Sequence, residues 1–409
     1  MTAHVQLALF GGPKALRGPL PRWPRPSARG QERLLESYLS GRIGGYPSPG
    51  PFAERFAAEF ARRHDAAFGI CAANGSVTLD AALAALEVGR GDEVVVPAYT
   101  WIATATCAVN VGATPVFVDV DPETYCIDVR AAEAAITART RAVVAVHLGS
   151  AIADLDALLS LCERRDLDLV EDCAHAHGAR WRGLGVGSFG AFGSFSFQSG
   201  KLLTAGEGGL LTTNDPLLRD RALALVDCGR WPAAAASPAG PEPVLGHNRR
   251  LTELQAAVLL AHVEALDEQA AARRRHASIL ERVAREVGLR PQAHGASGGE
   301  RVGFALLLRR DEAVWAGVSK ARLLEALRAE GVPAQAGYDP VPLSPLFGPV
   351  VYGGEEGVAR LRGRFPVAER ARADEAIWLP HELFLEEDAV RGAADALAKV
   401  HAAREALRS

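Results

Sequence analysis

The sequence predicts an α/β fold with a large domain, whose mostly parallel central sheet is flanked by helices, and a smaller C-terminal α+β domain. Between residues 68 and 213, short apolar strand-like runs alternate with helix-like runs, which is typical of a parallel sheet buried on both faces. After about Leu251 the pattern changes to amphipathic helices mixed with few strands. The 409 residues are too many for one ordinary domain and suit two.

The N-terminal segment, residues 1–30, is predicted to be an irregular arm. Its run GGPKALRGPLPRWPRP contains too many prolines for a helix or a central strand. Helical spacing begins at Gln31, is interrupted by GGYPSPGP (44–51) and resumes from Phe52 to Arg63. We expect the large domain to cover 31–255.

The sheet of the large domain is predicted from short apolar runs. In chain order they are FGICAA, EVVVPAY, TPVFVDV, AVVAVHL, LDLVED, FGSFSF and GGLLTT. The intervening helices are predicted at VTLDAALAALEVG and near 104–112, 129–138 and 155–165.

The C-terminal part, residues 256–409, is predicted to hold a long helix and a small α+β domain. Residues 251–288 have apolar spacing that fits one long amphipathic helix or two in tandem. A strand is expected over 302–310, and helices are expected around 319–330 and 387–404. The segment PAAAASPAGPEP (232–243) is predicted to be a mobile low-complexity loop.

The composition narrows the class of protein. With 48% hydrophobic residues, 23% charged residues and a net charge of −4, the chain lacks the basic character expected for nucleic-acid or membrane-surface binding. No signal peptide or long apolar span is evident, so a cytoplasmic location is expected. The six cysteines are scattered, without a CxxC pair, and are expected to be reduced core thiols.

The most informative residue is Lys201, in a glycine-rich polar turn between two apolar strand-like runs. A strand that ends at Asp172 precedes it by about thirty residues. A lysine that forms a Schiff base with an aldehyde cofactor, and an aspartate that keeps the cofactor's pyridine nitrogen protonated, would need such an arrangement. A solvated surface lysine is the alternative interpretation.

Two further turns follow predicted strands. In CAANGSVTLDAALAAL the backbone N–H groups of Ser76 and Val77 open a helix, where unpaired amides favour a phosphate. A capped βα turn without a ligand is the alternative. Trp101, in PAYTWIAT, is placed to stack on a planar ring, although a core tryptophan is the other interpretation.

Three more segments carry polar candidates. VEDCAHAHGA places His175 and His177 after Asp172, and these three residues could instead bind a metal, although their spacing matches no metal motif that we know. We therefore predict no metal site. FSFQSGK offers Ser196 and Gln198 as phosphate contacts. In GHNRRLTELQAA, Asn248 or Arg250 could reach an anion, and Thr252 can cap the following helix.

Taken together and in this order, these segments resemble the sugar and aminocyclitol aminotransferases of the DegT/DnrJ/EryC1/StrS family, which are fold-type I pyridoxal-phosphate enzymes. The resemblance covers nearly the whole chain and includes GGYPSPGPFAERFAAEFARRHDA, PAYTWIATATCAVNVGATPVFVDVDPETYCID, ADLDAL and LPHELFL. It implies pyridoxal 5′-phosphate as cofactor, a homodimer with shared active sites, and an N-terminal arm near the active site.

The resemblance also implies a role for each candidate. Lys201 would be the Schiff-base lysine and proton carrier, Asp172 the partner of the pyridine nitrogen, and His175 a neighbour of the ring face or phenolic oxygen. Trp101 would stack on the ring. The phosphate would be held by Ser76, Val77, Ser196 and Gln198, and by Asn248 of the neighbouring subunit.

Three features are similar to the branch that contains scyllo-inosose aminotransferases and 3-amino-5-hydroxybenzoate synthase: the GGPKALRG…RWP arm, QSGKLLTAGEGG and LVDCGR. The implied reaction moves an amino group from L-glutamine or glutamate to a keto-cyclitol. HLGSAIADLD (147–156) lacks the tyrosine common after Leu148 in that branch, so one substrate contact is expected to differ.

Three other functions remain open at this stage. A nucleotide-ketosugar aminotransferase would use the same chemistry on a larger acceptor. A 3-amino-5-hydroxybenzoate synthase would dehydrate and aromatise its substrate. A non-catalytic regulator that kept the fold is a different class, and the Lys201 and Asp172 pair speaks against it. Lys201 also speaks against a 3-dehydratase, in which histidine replaces this lysine.

Overall fold

The structure is a computed structural model that describes residues 6–232, 235, 242–294 and 299–408. The predicted low-complexity loop at 232–243 therefore lies largely outside the described residues. The strands, in chain order, are β1 Phe68–Ala72, β2 Glu93–Pro97, β3 Thr114–Val118, β4 Thr140–Val146, β5 Asp168–Asp172, β6 Arg180–Trp181, β7 Leu184–Gly185, β8 Phe192–Ser196, β9 Gly209–Thr213, β10 Leu289–Pro291, β11 Gly299–Glu300, β12 Ala305–Arg310 and β13 Ala376–Pro380.

The helices surround these strands and agree with most of the predicted ranges. In chain order they are α1 Ala28–Leu39, α2 Pro51–Arg63, α3 Gly75–Ala85, α4 Ala103–Asn110, α5 Val129–Ala135, α6 Leu155–Arg165, α7 Pro216–Val226, α8 Glu253–His262, α9 Leu266–Glu286, α10 Lys320–Ala329, α11 Gly348–Val351, α12 Glu355–Ala359, α13 Pro366–Arg370 and α14 Glu387–Ala402. The first helix begins at Ala28, three residues before the predicted start. The tandem alternative is correct for α8 and α9, which a short 3-10 turn (Val263–Ala265) separates.

The central sheet contains seven strands of the described chain in the order β1-β9-β8-β5-β4-β2-β3. Strand β9 runs antiparallel to both of its neighbours, and the other pairs in the sheet are parallel. All seven strands were predicted. The carboxyl ends of β1, β2, β5 and β8 therefore meet at one edge of the sheet, where ligands of α/β proteins bind.

Two small sheets complete the fold. The predicted strand over 302–310 becomes β12, which lies between β10 and β13 in an antiparallel sheet. Strands β6, β7 and β11 form a second three-stranded sheet that the sequence analysis did not predict. Each of these three strands is two residues long, too short to carry a period-2 pattern.

The core has three parts that position the site. One apolar cluster lies between α2, α6 and one face of the central sheet, and another lies under α3 and α4 on the opposite face. A third packs α9, α10 and α14 against β12 and β13, and it also contains Leu7 and Leu16 of the N-terminal arm. The domain limits at 31–255 and 256–409 stay predictions.

The cysteines are all unpaired. Cys107, Cys126, Cys162 and Cys173 are buried, in agreement with the predicted core thiols, whereas Cys228 is exposed. In the described chain, no helix has both the length and the apolar character needed to cross a membrane.

Candidate active site

A cavity of about 660 Å³ lies at the carboxyl edge of the central sheet. Seven of the nine predicted site residues line it: Ser76, Trp101, Asp172, His175, Ser196, Gln198 and Lys201. Val77 and Asn248 are not among its lining residues. The carboxyl edge of the sheet therefore brings together residues of four separate turns, which span 125 residues of sequence from Ser76 to Lys201.

Asp172 is the last residue of β5, and its carboxylate is buried beneath the cavity. The Thr104 hydroxyl donates to Oδ2 at 2.8 Å, and the Ala174 amide donates to Oδ1 at 3.2 Å. Burial raises the pKa of Asp172, while the Thr104 bond, the Ala174 amide and the charge of Lys201 act in the opposite direction. These donors favour the ionised form, which a protonated ring nitrogen requires.

Lys201 lies in the turn between β8 and β9, and its amine points into the cavity. The Nζ atom is 5.0 Å from the centroid of the Phe304 ring. Burial lowers the pKa of Lys201 to about 8, and the negative charge of Asp172 opposes this shift. A pKa of about 8 leaves most of the amine protonated near physiological pH, but the neutral fraction is far larger than that of an ordinary lysine, and this fraction can act as a nucleophile or base.

His175 lies between the catalytic edge of the sheet and the small domain. Its ring is stacked on Phe304, with centroids 3.8 Å apart and planes inclined by 12°. The Gly149 amide donates to Nδ1 at 3.2 Å, so a neutral ring carries its proton on Nε2, which lies 3.4 Å from the Tyr338 hydroxyl. Burial and then the charge of Lys201 lower the pKa of His175 well below its usual value.

The predicted phosphate region is formed by the start of α3 and the end of β8. Asn74 caps the helix, and its Oδ1 accepts the amide hydrogens of Ser76 and Val77 at 3.1 and 3.0 Å. The two amides predicted to bind phosphate therefore already have an acceptor here. Gly75 lies close to the neighbouring strand end, because a Cβ at Gly75 would be 2.6 Å from the Cβ of Ser196.

The aromatic side of the site contains the predicted Trp101 and three residues that sequence reasoning did not single out. Trp101 is 55% exposed at the cavity rim, and its ring centroid is 5.9 Å from that of Tyr338. Phe304, Tyr338 and Trp378 also line the cavity. Phe304 in VGF and Tyr338 in AGYDP each follow a glycine, which is a weak sequence signal for a functional aromatic residue. The local pattern alone does not place either residue at the edge of the central sheet.

His177, the other histidine of VEDCAHAHGA, is fully buried beside the Phe195 and Phe197 rings. Neither of its ring nitrogens has a hydrogen-bond partner among the described residues. It does not join Asp172 and His175 in any group of close ligand atoms in the described chain. The metal interpretation of these three residues therefore gains no support from the geometry.

Another group of potential metal ligands is buried at the carboxyl ends of β4 and β5 and consists of His147, Glu171 and Cys173. Two of these side chains are already engaged. His147 Nε2 lies 3.2 Å from Glu171, whose carboxylate also accepts the amides of Gly187, Phe189 and Gly190. This arrangement fixes the loop between β7 and β8, and so supports the strand that ends at Ser196.

Comparison with known protein families shows to which family the chain belongs. The sequence profile described as the DegT/DnrJ/EryC1/StrS aminotransferase family matches residues 32–398. The chain belongs to this family. It is an aminotransferase, and its family and structural neighbours imply dependence on pyridoxal phosphate.

Two relatives and one solved structure illustrate the similarity. A putative L-glutamine:3-amino-2,3-dideoxy-scyllo-inosose aminotransferase of Streptoalloteichus tenebrarius is 44% identical over 391 residues, covering 92% of this chain and 93% of the relative. An L-glutamine:2-deoxy-scyllo-inosose aminotransferase of Micromonospora echinospora is 39% identical over 417 residues, covering 98% and 99%. The crystal structure of 3-amino-5-hydroxybenzoic acid synthase matches with a TM-score of 0.84 and 32% identity, covering 94% of this chain and 99% of that structure.

These findings confirm the predicted family and fold class. The mostly parallel central sheet with flanking helices is the fold of the pyridoxal-phosphate aminotransferases of fold type I. The roles of the individual site residues stay predictions.

Proposed function

We propose that the protein transfers an amino group from L-glutamine to a keto-cyclitol of the scyllo-inosose type, with pyridoxal phosphate as cofactor, in aminocyclitol biosynthesis. The observation that carries the proposal is the pair Lys201 and Asp172, which line one cavity in a chain of this family. Relatives that are 39% and 44% identical over most of the chain are named for glutamine and scyllo-inosose substrates.

The residues of the cavity fit this cofactor. A carboxylate at Asp172, an amine at Lys201 and an aromatic face at Trp101 match the ring nitrogen, aldehyde and planar ring. The close approach of Gly75 to Ser196 brings the hydroxyl groups of Ser76 and Ser196 to one end of the cavity, where they can hold a phosphate. The Gln198 side chain is bonded within its own turn, to Ser199 and Gly200, and stays a candidate.

When bound, pyridoxal phosphate supplies an electron-poor ring that stabilises negative charge at the α-carbon of the amino donor. The chain's own residues provide the remaining functions. Lys201 Nζ would take the proton from the donor's α-carbon and pass it to the carbon of the cofactor's aldehyde group, for which a pKa of about 8 is suitable. Asp172 Oδ atoms hold the proton of the ring nitrogen, and Thr104 fixes the orientation of that carboxylate.

The homodimer is part of the proposal. Helix α1 and the segment after it expose a group of large apolar side chains, namely Leu35, Tyr38, Leu39, Ile43 and Tyr46. Such a group favours contact with another protein surface. Asn248 is exposed and outside the cavity of its own chain, which fits a role in the neighbouring subunit's site.

One alternative is favoured by a specific observation. The match to 3-amino-5-hydroxybenzoic acid synthase, with a TM-score of 0.84, keeps an aromatising dehydratase as the second candidate. A nucleotide-ketosugar acceptor is the third possibility for the same chemistry. A panel of keto-cyclitols and nucleotide-ketosugars with glutamine as donor separates the two aminotransferase functions by the acceptor that is converted. The synthase is recognised by its product, because only the synthase yields an aromatic ring.

The cofactor proposal is tested by the visible spectrum of the purified protein. We expect a band at about 400–430 nm that borohydride abolishes and that Lys201→Ala lacks. Lys320→Ala is the matched control, because Lys320 is also largely buried but its amine bonds the backbone oxygens of Ala336, Ala371 and Arg372. A wild-type protein that stays colourless after incubation with pyridoxal phosphate would contradict the proposal.

A further inference from the structure

We infer that Trp23 is a positioning residue for Lys201, and that through it the N-terminal arm ties the backbone of the proposed Schiff-base lysine to the small domain. The indole Nε1–H of Trp23 donates to the carbonyl oxygen of Lys201 at 3.1 Å, across 178 residues of sequence. This inference rests on the proposed role of Lys201.

The hydrogen bonds within the turn that carries Lys201 join residues that are close in sequence. The turn lies outside the regular pairing of β8 and β9, and the Lys201 amide donates to the backbone carbonyl oxygen of Gln198 in the same turn at 2.8 Å. The two successive carbonyl groups at its centre receive side chains from outside the turn. Trp23 bonds the carbonyl of Lys201, and His381 Nε2 lies 3.1 Å from the carbonyl oxygen of Gly200.

The two side chains that hold these carbonyls also hold each other. The rings of Trp23 and His381 meet edge to face, with centroids 5.1 Å apart and an angle of 89° between their planes. A paired ring arrangement of this kind restrains both side chains beyond what their burial does. The two carbonyl groups are therefore held by one small aromatic unit and not by two independent bonds.

A buried cation supports the indole from a further side. The guanidinium carbon of Arg273 lies 4.8 Å from the Trp23 ring centroid, which is within the range of a cation–π interaction. Arg273 is fully buried, and its Nε and Nη2 atoms have no hydrogen-bond partner among the described residues. Burial lowers the pKa of Arg273 to about 10, and the carboxylate of Glu382 acts against this shift. The electron-rich indole face thus supplies part of the stabilisation that this charge needs.

The arm that carries Trp23 is itself fixed to the small domain. The amides of Ala8 and Ala15 donate to the buried carboxylate of Glu330 at 2.7 and 2.9 Å. Lys399 Nζ donates to Glu330 at 2.8 Å and to the carbonyl of Pro13 at 2.6 Å. A displacement of the small domain is therefore transmitted through the arm to the backbone of Lys201.

The variant Trp23→Phe tests the inference, because phenylalanine keeps an aromatic ring for Arg273 and His381 but lacks the N–H donor. Trp315→Phe is the matched control. Trp315 is fully buried in the small domain, and its indole likewise donates to backbone carbonyls, those of Val287 and Gly288. Both variants lose one indole N–H donor, and only the donor of Trp23 reaches Lys201.

The first measurement is the rate constant at which each apoprotein develops the visible band with pyridoxal phosphate. We expect Trp23→Phe to be about five- to tenfold slower than wild type, as the loss of one hydrogen bond at the reacting side chain predicts, and Trp315→Phe to match wild type. Equal rate constants for Trp23→Phe and wild type overturn the inference. An equal loss in Trp315→Phe also overturns it, because general loosening would then be the cause.

The second measurement needs no cofactor. The pH midpoint for acetylation of Lys201 in the apoprotein, read by mass spectrometry, is expected near 8 in wild type. The titratable groups that interact with the same amine are Asp172, His175, His177 and His381, and all four are unchanged in both variants. We expect the midpoint to rise by about one unit in Trp23→Phe as the amine gains access to water, and to stay in place in Trp315→Phe. If wild-type protein shows no visible band but the midpoint still rises in Trp23→Phe, the positioning role stands and the proposed function is rejected. A midpoint that does not move in Trp23→Phe rejects the positioning role.

Discussion

The hydroxyl of Thr104 donates a hydrogen bond of 2.8 Å to the carboxylate of Asp172, joining the first turn of α4 to the end of β5. A second threonine, Thr100, lies 3.0 Å from Thr104 and extends this chain of hydroxyls. The arrangement stabilises the ionised form of a carboxylate whose burial favours the neutral form. A side chain of a neighbouring helix therefore opposes the effect of burial on the acidity of the candidate pyridine partner.

Removing the Thr104 hydroxyl should shift the pH dependence of activity. The bond lowers the pKa of Asp172, so Thr104→Val lets that pKa rise further, and the carboxylate becomes protonated at a higher pH. We expect the acidic limb of the kcat/KM profile to move up by about one pH unit, with little change on the alkaline side. Thr106→Val is the control in the same helix, because its hydroxyl donates to the Ala103 carbonyl and not to Asp172. An unmoved acidic limb would reject this role for Thr104.

The charge of Asp172 should matter more than its shape. We expect Asp172→Asn to retain the visible band but to lose about a hundred- to a thousandfold in kcat, because the amide cannot hold a positive charge on the ring nitrogen. Asp168→Asn, at the other end of the same strand, is the control. Steady-state rates and the spectrum together decide the matter. Near-normal turnover in Asp172→Asn would show that another group serves this purpose.

Mixed dimers test whether Asn248 acts in the neighbouring subunit. Lys201→Ala and Asn248→Asp protomers are each expected to be inactive alone. After unfolding and refolding together in equal amounts, half of the dimers are hybrids, and one of their two sites combines an intact Lys201 with an intact Asn248. Activity should then return to about a quarter of the wild-type value. A mixture that stays inactive would place Asn248 in the site of its own chain.

The arm anchor at Glu330 predicts a large effect on stability. Glu330→Gln leaves Lys399 without its buried counter-charge, so we expect the free energy of unfolding to fall by about 3 kcal/mol. The control is Glu325→Gln in α10, the helix that ends just before Glu330. Its partner Arg322 is at the surface, and the change should cost at most about 0.5 kcal/mol. Urea unfolding of the apoproteins measures both values. Equal stabilities of the two variants would show that the anchor contributes little.

Much of the fold and the polar edge of the site could be predicted, because parallel strands carry a strong local signal. A buried strand is a short apolar run, and the polar residue that ends it is visible in the sequence, as at Asp172 and Ser196. The direction of β9 was not predictable in this way. Its run GGLLTT is as apolar as the parallel strands, and strand direction depends on the connection and not on composition.

The aromatic and positioning residues were not predictable for a different reason. Phe304 and Tyr338 reach the cavity only because the small domain packs against the central sheet, and local periodicity does not encode that packing. The contact from Trp23 to Lys201 spans 178 residues. Thr104 lay within a segment that had been singled out, but the sequence did not show which hydroxyl of PAYTWIATAT faces Asp172.

The exposed thiol of Cys228 provides a native attachment point for a spectroscopic label. The other five cysteines are buried or half-buried, so a maleimide spin label should react selectively at this position. Cys228 adjoins the short pairing of Asp227 with Asn248, and its amide donates to the carbonyl of His247 at 3.1 Å. In the proposed homodimer, a pair of labels, one on each protomer, would therefore report the separation of the two Asn248 segments directly, without any engineered cysteine.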